Sequence, residues 1–210
     1  MKTKTNDWTS VNPSDEEVST TRQELDERML VVRSQRGEKA AFGELVRRYM
    51  QRAYFTALGI TGSGEAALDL SQDAFIRAYR AIKKFEPGRP FFAWYYQILR
   101  NLCFNYLRDR KRHAAPFSEI GESRLSQISD VLQRPDEALQ RKEIQEAVWQ
   151  AMNRLKPEER EILILREFEG YSYNDIAGML TIPVGTVMSR LYYARKSLRD
   201  QLSDRLKDPV

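Results

Sequence analysis

Apolar positions recur along this chain at intervals of three and four residues in nearly every segment, and alternating runs of β-branched residues are absent. That pattern predicts helices throughout. In "ERMLVVRSQRGEKAAFGELVRRYMQRAYFTALGI" the residues Phe42, Leu45, Val46 and Tyr49 fall on one stripe, and "TGSGE" then interrupts it. A helix is predicted from Glu65 through "EAALDLSQDAFIRAYRAIKKF", stopped by Pro87 and Gly88, and another through "FFAWYYQILRNLCFNYLRDRKR". Periodicity fades over residues 113–135, where chain breakers are frequent, and returns over 136–206. The predicted fold class is all-α: two small helical domains, 21–112 and 136–206, joined by a flexible linker at 113–135. Residues 1–20, rich in Thr, Ser, Asn and acids, are expected to form a disordered tail.

The second block contains a helix-turn-helix, about 172–197. Ile144, Val148, Ala151 and Leu155 make one stripe, and Pro157 with Glu158 and Glu159 suits the first turn of the next helix, which Gly170 ends. Ser172 and Asp175 are spaced as a capping box, with Ile176, Ala177 and Leu180 facing inward. "TIP" supplies the turn, and Pro183 can open the following helix because its missing N–H would have no helical partner there. On that helix Val187, Leu191, Ala194 and Leu198 share one face, prolonged by Leu202. The other side carries Thr186, Met188, Ser189, Arg190, Tyr192, Tyr193, Arg195 and Lys196, the candidates for DNA contact. A merely solvated side is the plainer alternative. Adjacent outward tyrosines and a first-turn glycine, Gly185, favour a partner that approaches the backbone closely.

Composition narrows the function. The 210 residues include 34 basic and 30 acidic ones, a net charge of +4, and no apolar run of bilayer-spanning length. The N-terminus lacks the apolar stretch of a secretory signal, so a cytoplasmic protein without membrane insertion is expected. With Cys103 as the only cysteine and His113 as the only histidine, neither an internal disulfide nor a Cys/His zinc site can form, and no cofactor is expected. The positive charge is concentrated from Arg89 to Arg112, where six basic residues face one acid, Asp109. That stretch also holds Phe91, Phe92, Trp94, Tyr95, Tyr96, Phe104 and Tyr106, more rings than one helix face can bury. Rings interleaved with Arg suit single-stranded nucleic acid, at roughly 1–3 kcal/mol per stacked base. The alternative makes the rings core and "RDRKR" a solvated helix end. In the preceding helix Leu70, Ala74, Phe75, Ala78, Tyr79 and Ile82 lie on one side, and Asp69, Gln72, Asp73 and Arg80 on the other. Asp69 and Asp73 sit one turn apart without a third ligand or base, which argues against a nucleic-acid enzyme.

The stretch "LKPEEREILILREFEGYSYNDIAGMLTIPVGTVMSRLYYARKSL" resembles bacterial RNA polymerase sigma factors of the small, two-domain extracytoplasmic-function (ECF) type, in the sigma-70 family. It carries their pattern of Leu, Pro and Arg, then Gly, Ser-Tyr, Ile-Ala and Ile-Pro-x-Gly-Thr-Val-x-Ser-Arg-Leu. "LSQDAFIRAYRAI" followed by "FFAWYYQILRNLCFNYLRDRKR" is similar to a second family stretch in the family's order, and the likeness covers about Asp26 to Leu202. The resemblance implies a non-enzymatic transcription initiation factor that binds core RNA polymerase, directs it to specific promoters and assists melting. Residues 21–112 would be sigma domain two, and 136–206 sigma domain four, which binds the minus-thirty-five element as duplex. It further implies that Asp69, Gln72 and Asp73 meet the clamp helices of the polymerase's largest subunit, and that the flap of the second largest subunit is another contact. Arg89, Trp94, Tyr95, Tyr96, Arg100, Arg108, Lys111 and Arg112 would serve minus-ten melting, with the loop Glu86 to Pro90 capturing an extruded base. An anti-sigma factor is a further candidate partner. The chain departs from the family at Met188 and Tyr193, where a basic residue is common, at Thr181, often Gly or Asn, and at Tyr95, often Leu. Met188 and Tyr193 cannot make the bidentate contact of Arg to guanine, which points to a different promoter preference. The competing class is an operator-binding helix-turn-helix repressor or activator, which usually dimerises across half-sites, and no spare apolar helix is available for a dimer seam.

Overall fold

A computed structural model describes residues 15–113 and 146–207, with side-chain surroundings defined for 25–112 and 146–203. Among the described residues all regular structure is helical, apart from an isolated bridge between Pro87 and Arg89. The helices are α1 (Asp15–Gln35), α2 (Lys39–Thr61), α3 (Gly64–Ala81) followed by a 3-10 turn (Ile82–Lys84), and α4 (Phe91–His113). Then come α5, described over 146–154, α6 (Pro157–Leu163) running on into a π-helical turn (Ile164–Phe168), α7 (Tyr173–Leu180) and α8 (Val184–Lys207). The expected tail is described only from residue 15, where it is already helical. Asp15, Glu16 and Glu17 give α1 three acids in its opening turn, where the helix dipole favours negative charge, so the helix begins six residues before the expected domain start at residue 21. The expected linker lies outside the described residues except for His113, which ends α4, as does Ile144 of the predicted stripe.

Local chemistry sets the corners. Gly62 closes α2 in the left-handed region at φ 72° and returns its N–H to the Leu58 carbonyl at 2.8 Å. Ser63 then caps α3, its hydroxyl accepting from the Ala66 N–H at 3.3 Å. Ser172 and Asp175 cap α7 reciprocally, each side chain accepting from the other's N–H at 3.1 Å.

α2 packs against α1, α3 and α4, and a continuous cluster of rings fills the space between them. Tyr95 stacks on Phe75 with centroids 4.2 Å apart, and Phe91 lies within 6.4 Å of Phe42, Tyr49, Phe85, Trp94 and Tyr95. Phe91, Phe92, Tyr95 and Tyr96 are all at most 1% exposed. α4 is thus buried on more than one face, because α2 and α3 cover one side and α7 with α6 reaches another. The surplus of rings is core, and nucleic acid does not find Tyr95 or Tyr96 on the surface of this arrangement.

Candidate nucleic-acid interface

The helix-turn-helix is assembled around α8. Val187, Leu191 and Ala194 are at most 1% exposed and pack inward with Ile176 and Met179 of α7, while Leu198 and Leu202 are half-buried. The Pro183 carbonyl accepts from Thr186 and Val187 at 2.9 and 3.1 Å and so begins α8. Thr181 ends α7 at φ 55°, ψ 47°, a left-handed conformation that a β-branched residue adopts only with strain.

With the inward face settled, the outward one stands clear. Met188, Tyr192 and Tyr193 are 55%, 64% and 60% exposed, and the two phenol rings meet edge to face at 5.4 Å. Ser189, Arg195 and Lys196 are exposed beside them, and Thr186 and Arg190 are half-buried. Arg195 is not a loose cation: its Nη2 and Nε reach Glu167 Oε1 at 2.6 and 3.0 Å, which fixes the guanidinium against the turn before α7. A Cβ placed on Gly185 would meet nothing within 4 Å, so packing inside the chain does not demand glycine there.

Between α3 and α4, residues 86–90 form an exposed loop with Gly88 at φ 127° and a solvent-facing Arg89–Glu86 ion pair at 3.7 Å. Trp94 is half-buried at its base, 4.8 Å from the Phe85 ring. Two residues that sequence reasoning missed hold this loop. The Gln35 amide donates to the carbonyls of Ile82 and Phe85 at 2.9 and 2.6 Å, and Glu27 Oε1 accepts from the Phe91 N–H at 2.8 Å, capping α4 from α1. Both act across some 50 or more positions, a separation at which local pattern carries no signal. Arg108, Lys111 and Arg112 are exposed along the end of α4, with Asp109 3.9 Å from Arg108 and 3.8 Å from Arg112.

Tyr95, Tyr96 and Arg100 are placed differently from the expectation that they contact DNA. The Tyr95 hydroxyl donates to the Ser71 carbonyl at 3.0 Å inside the N-terminal helices, and burial pushes its pKa up. Tyr96 donates to Glu161 Oε1 at 2.5 Å, and half-buried Arg100 grips the same carboxylate through Nε and, at 3.2 Å, Nη2. Desolvation pushes the Tyr96 hydroxyl well up, and the Glu161 charge beside it adds to the effect.

On α3 Asp69 and Gln72 are exposed, and half-buried Asp73 pairs with Arg77 at 3.0 Å. Leu68 and Ile76, 46% and 52% exposed, flank them on the same side. Sequence reasoning passed over this apolar pair, although their spacing of eight, with Gln72 between, places them on the acidic face. Exposed aliphatics between acids are the composition of a protein-docking surface. Among the described residues no group of three or more His, Cys, Asp or Glu could hold a metal ion, and no helix is long and apolar enough to cross a membrane.

Residues 45–113 match the family description Sigma-70 region 2, and residues 145–198 match Sigma-70, region 4. The RNA polymerase sigma-H factor of Pseudomonas aeruginosa is 37% identical over 195 residues, covering 89% of this chain and 98% of that protein. The chain belongs to the sigma-70 family. The ECF RNA polymerase sigma-E factor of Escherichia coli is 31% identical to this sigma factor, covering 86% of this chain and 96% of the relative. A solved sigma factor from Bartonella quintana, RpoE, in complex with the anti-sigma factor NepR, superposes with a TM-score of 0.62 at 26% identity, covering 77% of this chain and 96% of that one. This sigma factor is a transcription initiation factor of the ECF type; the first matched region runs from within α2 to the end of α4, and the second spans α5, α6, α7 and most of α8.

Proposed function

We propose that the protein joins core RNA polymerase in the cytoplasm through the α3 face of Leu68, Asp69, Gln72, Asp73 and Ile76, and that it catalyses no reaction itself. The clamp helices of the largest polymerase subunit fit this acidic and aliphatic strip, and the flap of the second largest subunit is assigned to the C-terminal helices. Residues 86–90 with Arg89, Trp94, Arg100, Arg108, Lys111 and Arg112 engage the melted minus-ten strand. Tyr95, enclosed by rings, is left out of that contact set. α8 reads the minus-thirty-five duplex through Met188, Ser189, Tyr192 and Tyr193, with Thr186, Arg190 and Lys196 toward the phosphates and Arg195 held by Glu167 beside them.

The observation that carries this reading is the exposed Met188–Tyr192–Tyr193 surface on a capped, well-packed helix-turn-helix, in a chain whose two family regions occur in the sigma order. The likeness to a factor solved with its anti-sigma partner supports an anti-sigma factor as regulator. The test is binding to a fork-junction promoter with and without core polymerase. Tight binding that requires polymerase supports the reading. Specific duplex binding by the chain alone, as a stable dimer and without polymerase association, would replace it with an operator-binding regulator.

A further inference from the structure

The surface joining the N-terminal to the C-terminal helices is built around two carboxylates on one side and two guanidiniums on the other. Glu161 of α6 is 1% exposed, a position that would be costly for a charge without partners, and it receives Tyr96 and both Arg100 donors. Glu169, after the π-helical turn, pairs with Arg52 and accepts from the Thr56 hydroxyl at 3.1 Å. The Arg52 guanidinium lies 4.0 Å from the centroid of the Phe92 ring and 5.2 Å from that of Tyr171, one ring from each side. Arg52, Thr56 and Gly59 recur at helical spacing on α2, and at Gly59 the approach is so close that a Cβ would run into the Ile164 side chain. Glycine is a poor choice for mid-helix, and this contact accounts for it.

Arg100 is also one of the α4 cations assigned above to the melted strand. A carboxylate gripped by two N–H donors of one guanidinium presents the same oxygen geometry that a phosphate does. We propose that Glu161 occupies the anion site on Arg100 that a nucleic-acid phosphate takes, so that the C-terminal helices compete with single-stranded DNA for the N-terminal ones. The inference rests on the α4 reading under "Proposed function" and adds its regulation: closing α6 onto α4 shuts the strand site, and a bound strand forces the halves apart. Among the described residues Arg160 Nε is buried at this junction without an acceptor, which costs the closed form free energy.

The full-length chain tests this with a fluorescein-labelled oligo(dT) of about 12 nucleotides, within the usual span of a single-strand site. Glu161→Gln removes the competing charge while keeping the shape, and Gly59→Leu wedges the surfaces apart without touching any charge. Both variants are expected to bind the oligonucleotide about tenfold tighter, as when a competent fraction of about one in ten rises toward all. Both should show a larger radius of gyration by small-angle scattering, and saturating oligonucleotide should expand the wild-type chain. Variants that fold and open yet bind no tighter would overturn the proposal, as would a wild-type chain that binds DNA without expanding. The α4 reading has its own arm. If binding is indifferent to Arg108→Ala with Lys111→Ala, that reading fails; if it depends on them but Glu161→Gln and Gly59→Leu give no gain, only the competition fails.

Discussion

Replacing both Tyr192 and Tyr193 with Ala isolates what the outward face of α8 does. The rings are 64% and 60% exposed and touch chiefly each other, so their loss removes little from the core. The fold should lose no more than about 0.5 kcal/mol, the usual range for surface positions. Bound to duplex the balance differs. A tyrosine carries about 150–250 Å², so these exposures leave on the order of 100 Å² per ring for a partner to cover, or about 2.5 kcal/mol at 25 cal/mol per Å². Immobilising each side chain costs about 0.5–1.5 kcal/mol. The remainder is about 1–2 kcal/mol per ring, and the pair together should weaken use of the upstream element by roughly 30-fold to several hundred-fold. The assay is anisotropy of holoenzyme on promoters identified by sequencing transcripts after forced expression, with the upstream element intact or scrambled. The wild type should lose affinity on scrambling and the double variant should not. Equal discrimination by both proteins refutes the assignment, and lost polymerase binding or a large fall in melting temperature would make the rings structural.

Reversing charge with Asp69→Lys and Asp73→Lys should lower affinity for core polymerase at least about tenfold, chiefly through mismatched charge, with an unchanged circular dichroism melt; unchanged affinity removes α3 from the interface. Thr181→Asn relieves a left-handed threonine that costs about 1 kcal/mol, and should raise the melting temperature by about 2–4 °C; a decrease would mean the turn is not left-handed in solution. Cys103 is fully buried, and desolvation first, then the Glu161 charge, pushes its thiol up to about 12. Since the folded value lies above the unfolded one, stability is whole well below about pH 8.5 and falls as pH rises toward 12, with a slope that grows to about 1.4 kcal/mol per unit. Denaturant midpoints of wild type and Cys103→Ser between pH 8 and 10 check this, and parallel slopes would refute it.

Much of this molecule was legible locally. The capping box at Ser172 and Asp175 and the inward stripe of Val187, Leu191 and Ala194 follow from interactions within a few residues, the structure has both, and Thr181, where the family often has Gly or Asn, is left-handed. Less was legible where burial is decided by elements far apart in sequence. The family resemblance points Tyr95 and Tyr96 toward the minus-ten strand, whereas their burial matches the alternative in which the rings are core, because a helix covered from two sides needs that many. Glu161 carries no local mark of burial in the sequence, and only the approach of α4 makes it a buried partner of Arg100 and Tyr96. The π-helical turn at 164–168 has no mark in "ILREF" either, since one helical register differs from another there by packing rather than by residue type.

The weak charge of α8 has a physical reading once the whole chain is considered. Arg195 is already engaged by Glu167, so the helix offers little net attraction to phosphates beyond Arg190 and Lys196. A free-standing duplex reader with that surface would bind poorly. A reader carried by polymerase faces a different requirement, because tethering sets an effective concentration in the millimolar range and a contact of about 4 kcal/mol is then enough to fill the site. Under that condition added lysines would mainly strengthen binding to every sequence, whereas the proposed contacts of the Met188 thioether and the two tyrosines would depend on base identity. An apolar, hydroxyl-bearing face is therefore the composition expected of a helix whose affinity is supplied elsewhere and whose own part is discrimination. Tyr193→Arg should accordingly bind non-cognate promoters more tightly and separate cognate from non-cognate less well, while a variant that gained affinity with discrimination intact would contradict this division of labour.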